Sequence, residues 1–197
     1  MKLRKLWIVG IVGLAAFIGT VVITACAKPP TEEMEAARTA VARAENDPDV
    51  AIYAVSTLAR AREALASMEA EALAKRYDSA RNYAAEAVSN AEKAINDART
   101  AMTRAREDSA NAMNALRNAI TETDTAVTQG KSNKLPLDWN QIDNDFEDAQ
   151  TVAGEAEAAQ ADSRYRNAVE LANTARTTLS AITSQISGAS LAQTRKK

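Results

Sequence analysis

The 197-residue chain carries 24 lysines and arginines against 26 acidic residues, has no histidine, and has one cysteine. The charge balance lacks the basic footprint that nucleic-acid binding demands. Without histidine, the commonest general base and transition-metal ligand are missing, and a lone cysteine allows no intrachain disulfide.

Lys2, Arg4 and Lys5 precede an uncharged run from Trp7 to Ala25, a positive n-region followed by an apolar h-region. The run approaches the roughly 20 apolar residues that span a bilayer, so an uncleaved anchor is the alternative to a cleaved signal. Ile23-Thr24-Ala25-Cys26 favours cleavage: two small residues precede the cysteine and an aliphatic one stands before them. These four residues resemble the lipobox of bacterial lipoproteins. The resemblance implies cleavage before Cys26, a covalent diacylglycerol and N-acyl lipid on that residue, and a membrane as partner. Ala27, rather than aspartate, implies the outer membrane over the inner, with the body in the periplasm. Two or three acyl chains hold a protein firmly, whereas one binds marginally. Cleavage removes three of the 24 basic residues and no acidic one, leaving 21 against 26 and a net charge of −5.

After Cys26 the only prolines are Pro29, Pro30, Pro48 and Pro136, and the only glycines Gly130, Gly154 and Gly188. Ala, Glu and Arg, all strong helix formers, fill much of the rest. The expected fold is all-α: an elongated antiparallel arrangement of about five helices with alanine-rich packing. Residues 26–31 form the anchor and a short stiff linker, Lys28-Pro29-Pro30. Residues 32–130 form an N-terminal helical hairpin with a long third helix, 131–137 a loop, 138–190 a C-terminal hairpin, and 191–197 a basic tail.

The first helix follows Thr31, with Met34, Ala37, Val41 and Ala44 on one face. Asp47 caps the second, with Pro48 at its first position and Ala54, Leu58, Ala61, Leu65, Met68 and Ala72 on its stripe. The third carries Tyr77, Ala80, Ala84, Ala87, Ala91, Ala94 and Ala98, then Met102, Ala105, Ala112, Leu116 and Ala119. The five-residue step from Ala72 to Tyr77 rotates the stripe and predicts a turn near Lys75-Arg76. One uninterrupted helix through both stripes is the alternative, as is a break near Glu107-Asp108-Ser109. Gly130 reads as a helix C-cap, and Asp138 with Gln141 as a capping box. The fourth helix then presents Trp139, Ile142, Phe146, Ala149, Ala153 and Ala156. The fifth presents Tyr165, Ala168, Ala172, Ala175, Leu179, Ile182 and Ile186.

An offset of 88 residues pairs Pro48 with Pro136, Glu69 with Glu157, Arg76 with Arg164 and Tyr77 with Tyr165. Two related hairpins explain it, since repeats bury a face against their neighbours; chance alignment of amphipathic helices is the alternative. Arg76-Tyr77-Asp78-Ser79-Ala80, echoed by Arg164-Tyr165-Arg166-Asn167-Ala168, is similar to the aromatic-x-x-Ala turn of an uncharacterised bacterial lipoprotein family. That family is classed as a domain of unknown function and often precedes a peptidoglycan-binding OmpA-like domain. The resemblance covers 48–95 and, more weakly, 136–183, and no OmpA-like domain follows. The turn also looks tetratricopeptide-like, without that repeat's period of about 34.

Asp143, Asp145, Glu147 and Asp148 form the densest carboxylate cluster. It lacks the glycine of a calcium loop, and neighbouring helical side chains diverge, so no metal and no cofactor beyond the lipid is expected. The cluster and the flanking aromatics Tyr53 and Tyr83 are the candidate partner surface. Trp139, Phe146 and Tyr165 read as core. No pair of carboxylates stands out as an acid and a base, which argues against an enzyme. The leading expectation is a non-enzymatic scaffold or adaptor for envelope proteins. The alternatives are a membrane-to-peptidoglycan tether through Lys197, similar to the terminal lysine of the major murein lipoprotein, and a lipid or small-molecule carrier. The alanine seam packs within one chain or between two copies, so a homo-oligomer is also open.

Overall fold

A computed structural model describes residues 28–195. The residues Ile23, Thr24, Ala25 and Cys26, and Lys197, lie outside them. Among the described residues six helices follow one another: α1 (Thr31–Glu45), α2 (Pro48–Tyr53), α3 (Val55–Leu73), α4 (Tyr77–Ser132), α5 (Trp139–Ala161) and α6 (Tyr165–Thr194). The described residues include no strand. The all-α expectation holds, with one helix more than the sequence suggests. The extra element arises at Ala54, whose φ of −131° separates α2 from α3. No glycine or proline marks that break.

The helix ends follow the local chemistry. Asp47 Oδ1 accepts from Asp49 N at 2.9 Å, with Pro48 in the first turn where no N–H is needed. Asp138 Oδ1 accepts from Asn140 N and Gln141 N, both at 3.2 Å. The box is only half formed, because the Gln141 amide instead donates to Asp145 Oδ1 at 2.6 Å.

Three helices end in the same left-handed turn. Lys75, Lys134 and Ser163 have φ of 59°, 51° and 60°. The following N–H reaches back five residues in each case: Arg76 to Glu71 O, Leu135 to Gly130 O, Arg164 to Ala159 O. This is the Schellman pattern, made without its usual glycine. Gly130 itself is not the cap. It lies inside α4, two residues before its end, and a Cβ there would stand 2.5 Å from the Trp139 ring. Its missing side chain serves helix-to-indole contact, not backbone conformation.

The repeat is real at the turns and in the core. Lys75 and Ser163 stand 88 residues apart, as do the helix starts Tyr77 and Tyr165. Buried positions match at the same offset: Ala61 with Ala149, Met68 with Ala156, Ala80 with Ala168, Ala91 with Leu179, Ala98 with Ile186. Glu69 and Glu157 each meet an arginine of the adjacent helix, Arg38 at 3.2 Å and Arg117 at 3.4 Å. The proline pair is not equivalent: Pro48 opens α2, whereas Pro136 lies in the loop before α5.

Each repeat packs three long helices, with the short α2 added to the core of the first. In the first, α1 lies antiparallel to α3 (Arg38–Glu69, Arg62–Glu45) and parallel to the start of α4 (Arg81–Glu33). In the second, the end of α4 takes the place of α1. It is antiparallel to α5 (Arg117–Glu157, Lys131–Asp143) and parallel to α6, where Thr123 meets Thr183 at 3.2 Å. Helix α4 is thus the last helix of one bundle and the first of the next. Its 56 residues run about 84 Å at 1.5 Å each, unbroken through Glu107-Asp108-Ser109.

One seam runs through that stretch. At 100° per residue, the buried residues from Ala80 to Ala98 and those from Ala105 to Gly130 fall within the same stripe, about 100° wide, so both bundles pack against one side of α4. Ser109 is fully buried on this stripe and accepts a hydrogen bond from Gln160 Nε2 at 3.1 Å.

Candidate functional site

The residues singled out in the sequence do not converge on one site. Tyr53 is half-buried against the first core, and its ring lies 4.6 Å from the Arg166 guanidinium carbon. Arg166 also donates to Ile52 O at 3.3 Å. Tyr53 therefore belongs to the junction between the bundles, where one arginine of α6 grips the end of α2. Tyr83 is half-buried on the same core. Beside the Arg166 grip, Ala101, Ala105 and Val169 floor a cleft edged by Arg104, Asp108 and Arg166. Sequence reasoning could not find this arginine, because 113 residues separate it from Tyr53.

The carboxylates of α5 spread around the helix. Asp143 takes both of its oxygens to Lys131 Nζ at 2.7 Å, and the same ammonium lies 5.8 Å from the Trp139 ring. Asp145 accepts from Gln141, and Glu147 and Asp148 are exposed. Among the described residues, no three acidic, histidine or cysteine side chains gather as a metal site would require. Trp139 and Phe146 pack on the second bundle's core, and Trp139 Nε1 donates to Leu135 O at 3.3 Å. Tyr165 is half-buried at its turn, with its hydroxyl 3.4 Å from Ser163 Oγ.

Two carboxylates have perturbed acidity, both through surface partners. Arg76 holds Glu71 below the usual glutamate range by hydrogen bonds across the α3–α4 turn. Lys93, and then Thr57, hold Asp97 low at 2.9 and 3.1 Å, tying α3 to α4. These are structural ties on helix exteriors.

The two ends of the molecule differ. At one, Pro29 and Thr31 lead into α1 beside Met34, Leu73 and Tyr77. At the other, α6 passes the end of α4, with Ile186 and Ala189 packed among Leu135, Leu137 and Trp139. Among the described residues, no helix is long and apolar enough to cross a membrane.

Residues 32–112 match the profile of a family described as Domain of unknown function (DUF4398). The matched span takes in α1 to α3 and the part of α4 that closes the first bundle, and it contains the stretch 48–95 that carries the resemblance. No curated protein and no solved structure matches the chain.

Proposed function

We propose that the chain is a lipid-anchored envelope protein, held through Cys26, that acts as a non-enzymatic scaffold or adaptor. The observation carrying this reading is the shared helix α4, which joins two bundles into one extended body with chain entry at one end. Alanine seams permit close helix approach, near the low end of the usual 8–10 Å spacing. Such packing favours a stiff body that displays its exterior over a hollow that encloses a substrate. The exposed helix faces, among them Glu147 and Asp148, are the contact surface for an envelope protein.

A photo-crosslinker placed at Glu147 or Asp148 in cells should yield a discrete protein adduct, lost when the neighbouring carboxylates are neutralised. Absence of any adduct from these and the other exposed faces would remove the adaptor reading. Metabolic acyl labelling tests the anchor separately: it should vanish in Cys26→Ser, and persistence would return residues 7–25 to the role of a spanning helix.

The opposed ends also favour a second reading, a membrane-to-peptidoglycan tether through Lys197. Thr194 emerges at the end of the body away from Thr31, the arrangement a tether needs. Muramidase digestion followed by mass spectrometry of the C-terminal peptide should then find muropeptide on Lys197. An unmodified lysine throughout ends the tether reading.

A further inference from the structure

The α3–α4 turn carries the most exposed large hydrophobic side chain among the described residues. Leu73 is 86% exposed, against 62% for Leu191, 59% for Val55 and 56% for Ile52, the other exposed large hydrophobic residues among those described. It lies beside Pro29 and Thr31, where the chain enters the body. Helix packing does not require a leucine here. The second repeat builds the same backbone turn, with φ of 60° at Ser163 matching 59° at Lys75. There the counterparts of Leu73 and Lys75 are Ala161 and Ser163. The third such turn, at Lys134, has Ser132 in the place of Leu73, so of the three only the turn at the entry end sets an exposed aliphatic side chain beside a cation.

We propose that this turn is a second membrane contact: Leu73, with Lys75 two residues on and Lys28 next to Pro29 in the chain, enters the interfacial layer of the bilayer that anchors the chain. The proposal rests on the acylated Cys26 of the preceding reading. Four residues separate Cys26 from Pro30, a reach of at most about 14 Å. A turn next to Pro29 is therefore held at the bilayer surface. Aliphatic side chains enter this layer while neighbouring lysines stay at the headgroups of anionic lipids. The carboxylates nearby are mostly engaged: Glu71 with Arg76, Glu33 and Asp78 with Arg81. Glu32, exposed in the first turn of α1, is in no ion pair among the described residues.

The test uses the full-length acylated chain in phosphatidylcholine vesicles, with and without phosphatidylglycerol. Acylation blocks Cys26, so Ala74→Cys offers a single thiol for an environment-sensitive fluorophore while Leu73 stays intact. Asn133→Cys provides the control at the far end. The probe at 74 should emit to the blue of the probe at 133 and be quenched several-fold more by spin-labelled lipid. Leu73→Asp should abolish most of that difference, and phosphatidylglycerol should increase it. Equal emission and quenching at 74 and 133, with the acyl mass confirmed on Cys26, overturns the membrane contact alone. A blue-shifted probe that lipid does not quench also overturns it, since protein would then cover the turn. Absence of the acyl mass overturns the anchor reading, and this proposal with it.

Discussion

The two bundles share a plan and fill it differently. In the first, the α4 stripe from Ala80 to Ala98 is alanine apart from Ile95, and most of the bulk comes from Val41, Val50, Leu58 and Met68 on the facing helices. In the second, α6 begins with Ala168, Ala172 and Ala175, then changes to Leu179, Ile182 and Ile186 where Ala91, Ala94 and Ala98 would stand. Met68 answers to Ala156, so side-chain volume has moved from one facing helix to the other. A core is constrained in total volume more than in the placement of each large residue. The wider far end also admits Trp139, which a glycine at position 130 accommodates.

The largest expected effect comes from making the second bundle resemble the first. Leu179→Ala should cost about 3 kcal/mol in urea unfolding, because Leu179 is fully buried and alanine leaves a cavity. Ala91→Gly, at the matching position, should cost only about 1 kcal/mol, a helix-propensity effect. Equal losses would mean that the two sites are not packed alike.

Gly130→Val ranks next. Its Cβ would meet Trp139 at 2.5 Å and Ile186 at 3.3 Å, so overpacking should cost roughly 2 kcal/mol and shift the Trp139 emission. An unchanged midpoint would mean that the indole moves aside freely.

Arg166→Ala removes the grip on Tyr53 and Ile52 and should lower stability by about 1 kcal/mol or less. Amide exchange should quicken at the junction, around Ile52–Val55 and the start of α6, and not in either core. Uniform acceleration would show that the bundles unfold as one unit regardless of the arginine.

Lys75→Gly and Ser163→Gly should each raise stability by roughly 0.5–1 kcal/mol, since both positions have positive φ. Destabilisation at position 75 alone would show that the lysine side chain matters within the fold.

The smallest effect is in the pH profile. Glu71 and Asp97 have folded-state values below their ordinary 4.5 and 3.8. Their contribution is complete above the ordinary values and is lost as pH falls through the lowered ones. With no histidine in the chain, stability should be flat from about pH 5 to 8 and decline below about pH 4.5. Both pairs sit at the surface, so added salt should shrink the decline.

Much of the fold is legible in the chain itself. Alanines at threes and fours, sparse glycine and proline, the Asp47-Pro48 start and the stripe shift before Tyr77 follow from short-range helix geometry and capping. The 88-residue offset exposes the repeat. The candidate surface was less legible. Tyr53 reads as a free aromatic until Arg166, distant in sequence, is laid over it. Asp143 reads as one of a row of free carboxylates until Lys131 arrives from the end of α4.

What tertiary structure alone decided follows from contacts that no local pattern encodes. Ser109 and Thr123 are polar, so a hydrophobic stripe passes over them, yet both are buried because Gln160, Leu179 O and Thr183 satisfy their hydroxyls. Gly130 reads as a stop in one dimension and is an inlet for an indole in three. The sharing of α4 between two bundles depends on which helices dock along each of its halves. Helix formation is a matter of neighbours within four residues. Which faces meet is a matter of burying area between elements far apart in the chain, and that choice placed the two bundles on one spine.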